Sequence, residues 1–228
     1  MPFNIGMLLF PEITQLDLIG PYEVFTKFPD GKVFLVAKTL APVKSSGGMR
    51  VLPDTTMEDC PDLDLICVPG GVGMNPLLDD AETLAFLRRR ASSARYITSV
   101  CSGALVLGAA GLLQGRRSAA HWMSLEMLSL FGAIPVAERV VKDGHLITGG
   151  GVTAGIDCAL AVAAEAFGEE VAKSIQLAME YAPTPPYNSE SIQKARAVAS
   201  AKARRAAKSD EAAGVATPTQ GVAYLAAG

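Results

Sequence analysis

The chain has 228 residues, half of them hydrophobic, a net charge of −3, and aromatic residues at only 6%. That supplies one sizeable domain with an aliphatic, alanine-rich core, and it lacks the clustered basic charge that a nucleic-acid partner requires. Four scattered cysteines with no CxxC pair, and two histidines, speak against a disulfide scaffold or a metal site and for the reducing cytoplasm.

The segment Met1 to Phe10 has no basic leader region, and no apolar run approaches the ~20 residues of a membrane span, so no membrane partner is expected. Phe3 to Phe10, bounded by Pro11, reads as a first strand. Thr14 to Phe28 has helix-like apolar spacing interrupted by Gly20-Pro21, which predicts a short turn around Asp17 and a helix starting near Pro21. Val33 to Val36 reads as a second strand, and Val43 to Pro53 as a small hairpin around Gly47-Gly48. Leu63 to Pro69 is continuously apolar, as in a parallel strand covered on both faces, and leads into the Gly70-Gly71-Val72-Gly73 loop.

Asp79 to Ala94 is an amphipathic helix, and Tyr96 to Val100 a strand that runs through Cys101-Ser102-Gly103 into a helix reaching Leu113. Arg117 to Ala120 suits a strand and Trp122 to Phe131 a helix. Val136 to Lys142 and His145 to Thr148 are strands joined by the Asp143-Gly144 turn. Gly149-Gly150-Gly151 opens a helix from about Val152 to Phe167, followed by another from Glu169 to Tyr181. Such alternation predicts an α/β fold with a mostly parallel sheet and helices on both faces. The expected organisation is an α/β domain over 1–186 and an alanine-rich basic extension over 187–228. Six basic residues against three acidic ones give that tail +3 and leave −6 elsewhere. Ile192 to Lys208 suits a solvated or dimer-packing helix without a helix–turn–helix pattern, and the chain beyond Gly214 is expected to fray.

Cys101 stands out among the cysteines. It sits on a strand–turn–helix corner, where the orphan N–H groups and dipole of a helix N-terminus favour a thiolate, the reactive form. The serine of a hydrolase elbow occupies a similar corner, although the first glycine of that motif is missing here. Cys67 and Cys158 read as inert core thiols, and Cys60 as an undecided loop residue. Two groups are available for proton transfer. His121 is either a base or a ring packed on Trp122. Asp17, among leucines, is either a helix cap or a partly buried acid with a raised pKa. Gly70 and Gly71, and the loop containing Gly150, either simply allow turns or offer backbone N–H groups to a ligand at the carboxyl ends of the strands. None of the glycine loops is a phosphate-binding motif, so no nucleotide cofactor is expected.

The segments LLFPEITQLDLIGPYEVF, DLDLICVPGG, SVCSGALVLGAAGLLQGRR and LITGGGVTAGIDCALAVAAE resemble the DJ-1/PfpI superfamily, and within it the isocyanide hydratases. The resemblance runs from Ile5 to about Tyr181 and implies the flavodoxin-like, class I glutaminase-like fold. It also implies Cys101 as nucleophile, Asp17 as its acidic partner, and Ser102 in a position that is typically threonine in that group. The activity it implies is hydration of a small neutral isocyanide to an N-substituted formamide through a covalent thioimidate, with no cofactor or metal. A homodimer with the site close to the interface is implied as well. Two other activities stay open on the residues: a ligand- or oxidative-stress-sensing domain of the same fold, and a glyoxalase or deglycase.

Overall fold

The computed structural model describes residues 2–187. The tail helix expected over Ile192 to Lys208 and the frayed end therefore lie outside the described residues. One compact unit covers Met1–Tyr181, and a separate unit begins at Ala182, whose described part, up to Tyr187, has no regular structure.

Seven strands form the central sheet: β1 (Phe3–Leu8), β2 (Gly31–Ala37), β5 (Thr55–Thr56), β6 (Leu65–Val68), β7 (Tyr96–Val100), β10 (Val140–Asp143) and β11 (Leu146–Gly149). Their spatial order is β10-β11-β7-β6-β1-β2-β5. Every neighbouring pair is parallel except β10–β11, which the Asp143-Gly144 turn makes antiparallel. The inner strands β6 and β7 are buried on both faces, which explains why β6 is a continuous apolar run; β7 also buries Thr98, whose hydroxyl donates to Ile66 O at 3.0 Å, and Ser99. Two small ribbons sit outside the sheet. β3 (Val43–Lys44) pairs with β4 (Arg50–Val51), and β8 (Arg117–Ser118) pairs with β9 (Ile134–Pro135).

Helices cover both faces. α1 (Gln15–Phe25), α4 (Ala154–Phe167) and α5 (Glu169–Ala178) pack in one layer; α2 (Ala81–Ala91) and α3 (Gly103–Ala109) form the other, with two 3-10 segments at Val72–Leu78 and Leu125–Phe131. α2 is capped by Asp80, whose side chain accepts from Thr83 N–H at 3.1 Å, and carries Arg88, Arg89 and Arg90 in its last turn, where cations suit the dipole. At one end of the core, Phe3, Phe28 and Phe167 meet edge to face with centroids 5.1–6.0 Å apart. Such geometry adds about 1 kcal/mol per pair beyond burial.

Several boundaries differ from the expectation. α1 begins at Gln15 and runs through Gly20-Pro21, so Asp17 lies in its first turn rather than in a turn before it. The helix tolerates the missing Pro21 N–H because the pyrrolidine ring is buried against α4, with Gly155 as its neighbour. α3 stops at Ala109, where the chain turns toward the left-handed Gly111. The helix expected over Trp122 to Phe131 is a 3-10 segment ended by left-handed Gly132. The strand expected from Val136 starts only at Val140, because Val136 N–H is drawn to Ser118 O beside the β8–β9 ribbon.

Candidate active site

Three segments converge at the carboxyl ends of β6 and β7. Cys101 occupies the corner between β7 and α3 with φ +59°, a left-handed conformation unusual for a residue with a side chain. Its neighbours hold it there. Cys101 N–H donates to Gly149 O at 3.1 Å, and its carbonyl accepts from His121 N–H at 3.1 Å. The residue is only 7% exposed.

Asp17, from the first turn of α1, is fully buried. It does not cap its own helix: Oδ2 instead accepts from Gly70 N–H at 3.1 Å. Its other oxygen, Oδ1, is buried without a hydrogen bond of good geometry. The Cys101 thiol lies beside the carboxyl. Burial pushes the Asp17 carboxyl from 3.8 up to about 7, against the lowering influence of the Cys101 and Gly70 contacts.

The thiol does not behave as its corner suggested. Burial first, and then the neighbouring Asp17 charge, push its pKa well above the ordinary cysteine value, and the Ser102 contacts offset only part of this. α3 spans seven residues, and its N-terminus does not outweigh loss of water and a facing carboxylate. The two groups therefore titrate as a pair that keeps one proton over a wide pH range. The raised thiol places that proton on sulfur.

Ser102 is 3% exposed, and its hydroxyl accepts from Gly71 N–H at 3.1 Å rather than bonding Asp17. The two glycine amides are thus both engaged, one by Asp17 and one by Ser102. The Gly70-Gly71 loop fixes these two side chains and presents no open pair of donors to a ligand. Gly150 N–H likewise donates to Arg139 O at 2.9 Å. A Cβ on Gly70 would stand 2.6 Å from Ser102 N, 2.7 Å from its Oγ and 2.9 Å from Asp17 Oδ2. Gly71, at φ +129°, brings the loop against Thr14, whose N–H donates to Gly70 O at 3.0 Å. Thr14 also accepts from Asp17 N–H at 3.0 Å, and so ties the loop to the start of α1. No local signal in the sequence marks Thr14 for that role.

His121 enters through its backbone bond to Cys101. Its Nδ1 accepts from Met123 N–H at 3.4 Å, and its ring tilts against Trp122 at 5.7 Å. Cys60, Cys67 and Cys158 are buried; burial raises all three thiols, Cys67 to about 12. Among the described residues no group of three or more metal-binding side chains exists, and no helix is long and apolar enough to cross a membrane.

The chain has close counterparts. Isonitrile hydratase of Pseudomonas putida is 55% identical over 207 residues, 91% of this chain and 91% of that protein. A helix–turn–helix-type transcriptional regulator of Pseudomonas aeruginosa is 29% identical over 76% of this chain, which spans about half of the regulator's length (49%). Among solved structures, a ThiJ/PfpI family protein from Pseudomonas syringae superposes with a TM-score of 0.82 at 46% identity, covering 85% of this chain and 81% of that one. DJ-1beta of Drosophila melanogaster superposes at 0.70 with 25% identity, covering 80% of this chain and 100% of that one. The DJ-1/PfpI family model matches residues 4–165. Because that match spans the central sheet and both loops that meet at Cys101, the chain belongs to the DJ-1/PfpI family.

Proposed function

We propose that this chain is an isonitrile hydratase, a lyase that uses Cys101 as nucleophile and Asp17 as proton shuttle. The carrying observation is the buried Asp17–Cys101 pair, with the carboxyl raised to about 7, in a chain 55% identical to an isonitrile hydratase. An isocyanide, R–N≡C, takes a nucleophile and a proton at one carbon. In the resting pair Asp17 is ionised and Cys101 carries the proton. Asp17 accepts that proton as sulfur attacks the terminal carbon, then delivers it to the same carbon, giving the thioimidate R–N=CH–S–Cys. A carboxyl near pH 7 is matched to both halves of this transfer. Water then adds to the thioimidate carbon, the C–S bond breaks, and the nitrogen and sulfur end protonated, leaving R–NH–CHO and free Cys101.

The role assigned to Ser102 is to hold the Gly71 side of the loop and to set its backbone N–H beside the sulfur, where it favours the thiolate. Gly70 fixes Asp17 by its N–H. Gly150 acts at the turn leading to α4. The domain 1–186 carries the reaction. We place it in the cytoplasm as a homodimer; exposed Leu16 and Ile19 on α1, at 40% and 41%, suit burial by a second copy. Light scattering of the purified protein would give twice the chain mass.

The test of the activity is direct. With an alkyl isocyanide as substrate, the matching formamide appears by mass spectrometry and Cys101→Ala does not form it. No turnover with any of several isocyanides, or full turnover in Cys101→Ala, would overturn the reading. Conversion of methylglyoxal in place of isocyanides would favour a glyoxalase or deglycase.

A further inference from the structure

Gly149 ends β11, and the turn to α4 runs through Gly150, Gly151, Val152 and Thr153, its first two residues having no side chain to hold their course. The carbonyl of Gly149, paired in the sheet with β7 and β10 and directly before this turn, is the acceptor for Cys101 N–H, so the turn adjoins the bond that helps hold the left-handed Cys101 backbone. The helix that follows does not anchor it by capping. Thr153 stands at the N-cap of α4, but its hydroxyl bonds no amide of the helix.

Arg139 anchors the uncapped, helix side of the turn from the neighbouring strand. It sits just before β10, and its carbonyl accepts from Gly150 N–H at 2.9 Å. Its guanidinium reaches across to the first turn of α4. Nη1 donates to Thr153 Oγ1 at 3.2 Å, Nη2 to Thr153 O at 3.0 Å, and Nε to Asp157 Oδ2 at 2.7 Å. Tyr181, beyond the end of α5, completes the arrangement: its hydroxyl donates to the same Asp157 oxygen at 3.0 Å and accepts from Arg139 Nη2 at 3.4 Å. The side chain is half exposed, so a simple ion pair there is worth little stability. A planar fork that satisfies three acceptors on one helix turn contributes geometry instead.

We propose that Arg139 is a positioning residue for the Cys101 reaction, holding the Gly149–Thr153 turn from both ends so that Gly149 O stays in register with Cys101 N–H. The inference rests on Cys101 being the nucleophile, as above. The hydrogen bonds of Arg139 go to Gly150, Thr153, Asp157 and Tyr181 rather than to Cys101 or Asp17, so it acts through the turn. Errors in placing a reacting group of the order of 1 Å can cost about a hundredfold in rate.

The experiment compares Arg139→Met, Arg139→Lys and the parent by two readouts. One is kcat and KM for an alkyl isocyanide; the other is the rate of Cys101 alkylation by iodoacetamide from pH 5 to 10. Both variants are expected to lose at least fivefold in kcat with KM changed less than twofold, and to shift the alkylation–pH profile. Lysine keeps the charge but not the fork, so it should behave like methionine. Parent-like kcat and an unmoved alkylation profile in either variant would overturn the proposal. So would a fall in melting temperature with no change in the profile. If Arg139→Met does not fold, Arg139→Lys decides alone. The alkylation readout needs no isocyanide: a shifted profile in a protein without hydratase turnover would keep the positioning role and refute the hydratase reading instead.

Discussion

Gly70→Ala isolates the geometry of the site from its chemistry, because it removes no functional group. Gly70 has none of the left-handed backbone that marks Gly71, so alanine fits the main chain. The new methyl, however, would stand 2.6 Å from Ser102 N and 2.9 Å from Asp17 Oδ2, whereas ordinary contact begins at about 3.4 Å. The Ser102 amide must therefore retreat by about 0.8 Å and the carboxylate by about 0.5 Å. Overpacking of this kind costs about 1–3 kcal/mol of stability. Displacement approaching 1 Å between the proton shuttle and the nucleophile's corner should lower kcat by about tenfold to a hundredfold, equivalent to about 1.4–2.7 kcal/mol of barrier. Steady-state formamide production and thermal melts measure the two effects separately. The double variant Gly70→Ala/Ser102→Ala tests the assignment further. It removes the Oγ contact but leaves the backbone amide in the way and deprives Gly71 N–H of its acceptor, so it should be no more active or stable than Gly70→Ala. Undiminished kcat with an unchanged melting temperature in Gly70→Ala would refute the reasoning, because it would mean that the loop does not hold Asp17 and Ser102 in place.

The ionisation of Asp17 carries two further expectations. Since the active pair holds one proton and Asp17 must be ionised to accept it, kcat/KM should fall as pH drops through about 7, and Asp17→Asn should abolish both the limb and most of the activity. In stability the sign is opposite. The folded carboxyl, at about 7, lies above the unfolded value of 3.8, so its contribution is complete below pH 4 and declines, by a few kcal/mol, as pH rises to 7. Melting temperatures should therefore show a smaller drop between pH 4 and 8 in Asp17→Asn than in the parent. Ser102→Ala leaves the buried Gly71 N–H without its acceptor, at a cost of about 1–3 kcal/mol measurable by urea unfolding, whereas Ser102→Thr keeps the bond and the stability.

Much of this site was legible in the chain. Local rules suffice for the strand Tyr96 to Val100, the corner at Cys101 and the α/β alternation, because each depends on residues adjacent in sequence: a buried strand reads as an apolar run, and a sharp corner reads as small residues after it. The burial of Cys67 and Cys158 followed the same way, from their places inside a strand and a helix. Asp17 announced itself only as an acid among leucines, equally consistent with a cap. Its choice of Gly70 over its own helix depends on the start of α1 and a loop more than fifty positions away meeting at the carboxyl end of the sheet.

The tertiary structure alone decided three matters. It used the Gly70 and Gly71 amides to hold side chains, where the sequence left open whether these glycines only allow a turn or offer donors to a ligand. It raised the Cys101 pKa where the corner suggested the reverse, because burial and a facing carboxyl are properties of the assembled site and no local pattern records them. It also recruited Arg139, an unremarkable basic residue before an edge strand, to steady a turn whose glycines cannot steady themselves. The physical reason is common to all three. Periodicity and turn chemistry act over a few residues and are written in order along the chain, whereas desolvation, close approach and side-chain bonding act through space, between segments that only the folded sheet brings together.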